Sequence, residues 1–375
     1  MTTKQPTIFS FFSGAGFLDL GFEETGYEVS YVNEFHKPFL DAYRHSRTVL
    51  GHSAPRFGYD DRSIEDVSAC DLEGGIQAVR SEGRLVGFIG GPPCPDFSVG
   101  GKNRGKEGEN GKLSKVYVDL VCQAKPDFFL FENVKGLYRT KKHREFFEKM
   151  KVKLRRSGYL LHERLINSIE YGAPQDRDRI ILIGFRSRDL AKTFVWTDRG
   201  FPERKAFEYE WPDASPFEKG SLRPQPKTLP IELTVQHWFD KNDVTNHPNA
   251  SHCFTPRAGL ARFLSVDEGD DSKKSYKRLH RWRYSPTAAY GNNEVHLHPY
   301  EPRRISVAEA LAIQSLPAAF ELPSTMTLSN MFKTVGNGVP YLAGRGLANS
   351  ILKHLGIQNE SNSGELGPRD RQTAA

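Results

Sequence analysis

Residues 7–12, 85–89, 128–131 and 180–183 are short, mostly apolar runs with little polar alternation. That is how strands buried on both faces of a parallel sheet read. Residues 28–32 add a strand ending at Asn33-Glu34. Amphipathic stretches lie between. Residues 17–25 follow the first strand as a helix, and residues 142–156 place Phe146, Phe147, Met150 and Leu154 on one face before Gly158 stops the turn. Strands alternating with helices predict an α/β fold with a mostly parallel sheet. From about residue 186 to residue 293 prolines multiply, aromatic and charged residues mix, and no period persists; a second, loop-rich domain is expected there. Regularity returns at 306–314, a helix with Ser306 as N-cap and Glu309 as its capping-box partner. A last helix spans about 340–355, fed by a tight turn at Gly336-Asn337-Gly338-Val339-Pro340 and stopped by Gly356. Residues 358–375 are polar, lack aromatics and are expected to be disordered.

Composition narrows the class. The chain's 375 residues, 38% hydrophobic, suffice for one large domain or two ordinary ones. The formal net charge of +6 tilts the balance toward an anionic partner. Cys70, Cys94, Cys122 and Cys253 form no C-x-x-C pair, which argues against a zinc site and a secreted disulfide framework. The polar amino terminus does not read as a signal peptide, and no apolar stretch reaches the roughly 18 residues of a membrane span. An intracellular protein in a reducing compartment is expected.

Chemistry concentrates at the strand ends. Gly90-Gly91-Pro92-Pro93-Cys94-Pro95-Asp96-Phe97-Ser98 follows a buried strand and sets a cysteine between two prolines, which restrict the backbone to an extended pose. A rigidly presented thiol suits a nucleophile; a buried structural cysteine is the plainer alternative. Phe12-Ser13-Gly14-Ala15-Gly16 is a βα turn of the kind that binds nucleotides, and Glu34 ends the next strand where ribose hydroxyls are bonded. Asp19 stands where the third glycine of a dinucleotide fingerprint would be. An acidic residue repels a pyrophosphate, so the turn suits a phosphate-free adenosyl group such as S-adenosylmethionine. Glu132-Asn133-Val134 ends an apolar strand at the sheet's carboxyl edge. In Gln175-Asp176-Arg177-Asp178-Arg179 the alternation puts both arginines on one side. Residues 99–115 are glycine-rich, with Lys102, Arg104, Lys106, Lys112 and Lys115 placed to meet phosphates. The basic, aromatic stretch 272–283 is the main nucleic-acid signal of the second half. His296 and His298 lack a third ligand at suitable spacing and are taken as structural.

In this order the pieces resemble the DNA (cytosine-5) methyltransferase family over nearly the whole chain. The resemblance rests on Phe12–Gly16, Pro93-Cys94-Pro95-Asp96-Phe97-Ser98, Glu132-Asn133-Val134, Gln175–Arg179, Arg304 through Gln314, and Gly336–Pro340. Three departures stand out: Phe17 where a further glycine is usual, Pro95 where glutamine is frequent, and Gly338 where alanine or serine is usual. The resemblance implies a Rossmann-like sheet binding S-adenosylmethionine (residues 1–185 plus 325–356), a smaller, loop-rich target-recognition domain (186–324) and a disordered tail (357–375). It implies Cys94, Glu132, Arg177 and Arg179 as catalytic, with Cys94 adding to C6 of cytosine, Glu132 contacting N3 and the 4-amino group, and Arg179 holding O2. For the cofactor it implies Phe12, Gly14, Ala15, Gly16, Glu34, Phe35, Asp71, Leu72, Pro93, Leu113, Asn337 and Gly338. Residues 99–115 resemble the family's catalytic loop, since a base within a duplex must be flipped out to be attacked. The expected protein is a bacterial, cytoplasmic, monomeric enzyme of restriction–modification type, acting on double-stranded DNA without a metal. Two alternatives stay open: an enzyme of the same build acting on tRNA, whose branch shares a short motif with Cys253-Phe254-Thr255, and a catalytically silent DNA-binding member.

Overall fold

The computed structural model describes residues 4–93, 109–187, 194–255, 260–273, 275–288, 290 and 295–357. Cys94 and residues 99–108 of the expected loop lie outside them, as do residues 358–375 of the tail.

The apolar runs become the core of a seven-stranded sheet. Its strands are β1 (Thr7–Phe11), β2 (Glu28–Asn33), β3 (Tyr59–Asp60), β4 (Val86–Gly90), β5 (Phe128–Val134), β6 (Leu160–Asn167) and β7 (Asp178–Phe185). They are ordered β3-β2-β1-β4-β5-β7-β6. β3 to β5 run parallel, whereas β7 is antiparallel to both neighbours. The amino end of β7 therefore lies at the same edge as the carboxyl ends of β1, β2, β4 and β5, with Val134 paired to Arg179. Open α/β sheets bind ligands at that edge.

Helices cover both faces: α1 (Phe17–Glu23), α2 (Lys37–Val49), α3 (Ala69–Ser81), α4 (Glu109–Ala124) and α5 (Lys141–Arg156). The expected apolar face of α5 buries Phe147, Met150 and Leu154. Residues 109–115, assigned to the loop from sequence, instead open α4. Strand β6 was not anticipated, since His162, Glu163 and Arg164 interrupt its apolar pattern.

The second half contributes α6 (Val235–Lys241), α7 (Leu260–Leu264), a two-stranded ladder of β8 (Lys277–Arg278) and β9 (His296–Leu297), α8 (Val307–Ile313), α9 (Leu328–Asn337) and α10 (Tyr341–Leu355). The capping box of α8 forms as expected: Ser306 Oγ accepts the Glu309 amide and Glu309 accepts the Ser306 amide. The anticipated turn at 336–340 is shorter, because Gly336 and Asn337 complete α9. Gly356, with φ 72°, ends α10 as expected.

Helix α10 returns to the first helix. Tyr27 Oη donates to the Ala348 carbonyl at 3.0 Å. A Cβ on Gly21 would lie 2.5 Å from the Arg345 backbone nitrogen, so only glycine allows the two helices this close. The helices of residues 307–337 share one core with α1 and α2: Phe17, Leu20, Phe39 and Ala42 pack with Ile305, Leu311, Met331 and Val335. Residues 305–322 thus bury their apolar faces in the same core as the sheet's own helices, not in a separate one. Among the described residues no helix is long and apolar enough to cross a membrane.

Candidate active site

A cavity of about 1700 Å³ opens along the shared strand edge. One wall is the turn after β1, held in left-handed conformations at Phe12 (φ 53°), Gly14 (φ 58°) and Gly16 (φ 77°). Phe12 has a Cβ and bears this strain at the cavity mouth. Gly16 serves close approach: a Cβ there would meet the Tyr43 ring at 2.5 Å and the Arg47 guanidinium at 2.6 Å. Arg47 is fully buried, donates to the Gly16 carbonyl at 2.7 Å and pairs with Glu23 at 2.7 Å. Glu34, at the end of β2, accepts the Gly14 amide through one oxygen and the His36 amide through the other, both at 2.8 Å. Burial raises its pKa, and the two amides oppose that. Phe35 beside it is 70% exposed, an apolar ring offered to whatever enters.

The opposite wall carries charged groups. Glu132 on β5 and Arg179 on β7 form an ion pair of 2.7 Å, both largely buried. Burial lowers the Arg179 pKa, and the Glu132 charge opposes the shift. Gly91 runs close to this pair: a Cβ there would fall 2.7 Å from Glu132 Oε2, so a side chain at 91 would displace the carboxylate. Asn133 Nδ2 donates to the Pro92 carbonyl at 3.2 Å, tying β5 to the segment that leads through Pro93 into Cys94. Arg177 faces the same cavity but spends its guanidinium on backbone, donating to the carbonyls of Gly336 (2.8 Å) and Ala288 (2.9 Å). Burial, then the Arg179 charge, pushes its pKa well below the ordinary guanidinium range. It braces two walls against each other. Asp176 and Asp178 line the cavity too, so the alternation does not keep them out of it; Asn167 donates to Asp176 at 2.6 Å and to Asp178 at 2.9 Å, and Lys135 pairs with Asp178.

Of the residues expected to hold a cofactor, Phe12, Gly14, Ala15, Glu34, Phe35, Pro93, Leu113, Asn337 and Gly338 line this cavity. Gly16 supports the turn from behind. Asp71 and Leu72 do not line it. Asp71 closes the capping box of α3 with Ser68, and Leu72 is buried in the core. Ser63 and Ile64 line the cavity from this part of the chain instead, in a one-turn 3-10 helix whose three residues offer no periodicity to read. Asn167 and the buried Gln314, which donates to the Val335 carbonyl at 2.5 Å, are supports that sequence reasoning missed; buried amides of this kind carry no local signal.

The basic stretch 272–283 divides. Arg278 is buried, donates to the backbone carbonyls of Val266 (2.7 Å), His298, Glu301 (3.0 Å) and Phe263, and stacks 3.8 Å over Phe217. Arg281 is buried against Glu268 at 2.8 and 3.0 Å and covers the Tyr300 ring. These two cations hold the second half together, so the nucleic-acid signal read from the stretch does not extend to them. Lys277 and Arg283 do line the cavity. His296 and His298 are buried, and burial pushes them down to about 3 and about 4; His298 Nδ1 accepts the Glu301 amide. Cys253 donates to the Arg304 carbonyl at 3.2 Å and does not line the cavity, whereas Phe254 does.

Known proteins resemble this chain in sequence and fold. The family model described as C-5 cytosine-specific DNA methylase matches residues 7–353. The type II methyltransferase M.NmeDI of Neisseria meningitidis serogroup C is 60% identical over 359 residues, covering 94% of this chain and 84% of that protein. M.MthTI of Methanothermobacter thermautotrophicus is 30% identical, with 94% and 99% covered. Among solved structures, a prophage-encoded candidate DNA modification methyltransferase from E. coli superposes with a TM-score of 0.67 at 21% identity, covering 94% of this chain and all of that one; at that identity the likeness is one of fold.

Proposed function

Because this chain belongs to the C-5 cytosine-specific DNA methylase family and is a type II DNA cytosine-5 methyltransferase of a restriction–modification system, we propose that its cavity seats a flipped cytosine between Cys94 and the Glu132–Arg179 pair. The observation carrying this reading is that pair, 2.7 Å apart, beside the Pro92–Pro93 segment that presents the cysteine. The family's methyl donor, S-adenosylmethionine, supplies an electrophilic methyl group on a sulfonium. The first wall suits it. Glu34 has its inner lone pairs occupied by two amides and can accept ribose hydroxyls with the outer ones, while Phe35 offers a face to the adenine. Asp19 lines the same wall and favours a cationic ligand over a pyrophosphate.

The Cys94 thiolate would form a bond to C6, the C5–C6 π pair moving onto C5, and C5 would take the methyl carbon as that carbon's bond to the donor sulfur breaks and the bonding pair stays on sulfur as a neutral thioether. Loss of the C5 proton to solvent restores the double bond and expels the thiolate. Charge delocalised onto O2 during addition is met by the Arg179 guanidinium, and charge on N3 is relieved by a proton shared between N3 and Glu132; one such preorganised contact typically contributes about 3 kcal/mol. A thiolate needs a cationic setting, which the two guanidiniums supply. Lys277, Arg283 and Arg304 on the far wall face the duplex. One chain holds both walls, so a monomer suffices. Cys253, bonded to a carbonyl and outside the cavity, lends no support to the tRNA alternative.

Labelled S-adenosylmethionine incubated with unmethylated duplex DNA, and with tRNA in parallel, tests the reading. Saturating label on DNA as 5-methylcytosine is expected, with Cys94→Ala abolishing turnover while DNA and cofactor still bind. Appreciable methylation by that variant would remove Cys94 from its role, and label on tRNA alone would overturn the substrate.

A further inference from the structure

We propose that Phe17 and Gly338 form an interlocked pair that sets the separation of the two segments flanking the cofactor end of the cavity, with Phe17 as a positioning residue. This rests on the cofactor site read above. Gly338 follows α9 with φ −64° and ψ 150°, a conformation any residue adopts; the backbone does not ask for glycine. The Phe17 ring does. A Cβ at position 338 would lie 2.1 Å from Phe17 Cδ2 and 2.7 Å from Cε2, far inside van der Waals contact.

Neither side can retreat cheaply. Phe17 is 2% exposed, stands edge-on to Phe320 with ring centroids 5.2 Å apart, and belongs to the core formed with α9. The Gly338 amide donates to the Thr334 carbonyl at 3.1 Å, closing the last turn of that helix. Phe17 directly follows Gly16, whose carbonyl Arg47 holds, and Asn337, Gly338 and Gly14 line one cavity. A side chain at 338 must therefore push the 336–339 segment away from the turn at 13–16. The space that a side chain at 338 would need is the space that the Phe17 ring fills.

The test is binding of S-adenosylhomocysteine, by calorimetry, to wild type, Phe17→Ala, Gly338→Ala and the double variant, with duplex-DNA affinity measured alongside. Gly338→Ala should weaken binding by about ten-fold or more, the size of an overpacking penalty, at unchanged DNA affinity; adding Phe17→Ala should recover most of that loss. Binding by Gly338→Ala within two-fold or so of wild type, an equal fall in DNA affinity, or a double variant no better than Gly338→Ala would each overturn the pairing. If Gly338→Ala does not fold, a double variant that folds and binds supports the pair, and one that also fails to fold refutes it. Wild type that does not bind the ligand at all would instead sink the cofactor reading.

Discussion

Arg278 and Arg281 have little of their guanidiniums left for a phosphate. Removing Arg278 strands four carbonyl acceptors, and removing Arg281 leaves Glu268 short of a buried partner. Each substitution to alanine should cost on the order of 3–5 kcal/mol, read as a lower denaturant midpoint. Arg283→Ala should instead leave stability within about 0.5 kcal/mol and weaken DNA binding with a shallower salt dependence; a large stability loss there would place Arg283 with the structural pair. In sequence these cations are indistinguishable, because what separates them is which carbonyls and rings lie beneath, and those come from residues up to about sixty positions away. Glu132 and Arg179 were legible as strand-end neighbours for the opposite reason: each is set at the end of a strand by the residues immediately around it, whereas Cys94 lies outside the described residues. Arg177 was legible as a site residue but not as a brace, since its partners Ala288 and Gly336 belong to distant segments.

The elements that read well are those whose burial is uniform. Strands β5 and β7 and helices α5 and α10 are apolar where they face the core, whereas β6 carries Glu163 and Arg164 half-buried against Lys151 and Glu170, and its pattern dissolves. Helix α8 shows what a legible cap does beyond starting a helix. Burial alone would raise the Glu309 pKa, but two hydrogen bonds from Arg303, at 2.6 and 2.9 Å, hold it below the usual carboxylate value of 4.5. The folded state thus takes up this proton less readily than the unfolded chain does. The stabilisation is complete above that value and is lost as pH falls through the folded one. Glu309→Gln should lower stability at pH 7 by roughly 1–3 kcal/mol and show a smaller loss on acidification than wild type in urea melts. Equal acid sensitivity in the two proteins would place the titration elsewhere.

At the scale of the molecule, the active-site cavity is walled by segments from both halves, and the core beneath it joins α1 and α2 to residues 305–335. Sequence texture marked an irregular stretch at about 186–293; texture registers loops and prolines, not which faces are later covered. A chain ended at residue 340 should lack cooperative unfolding by circular dichroism, because the α1 surface at Leu18 and Gly21 loses α10; a sharp transition in that fragment would show that the fold stands without α10. The meeting of Gly21 with Gly344 and Arg345 also bears on timing. More than three hundred residues separate those partners, and a ribosome needs on the order of tens of seconds to deliver them. The nascent chain emerges with the α10-facing side of its first helix uncovered, and that side stays exposed until its own last helix is made.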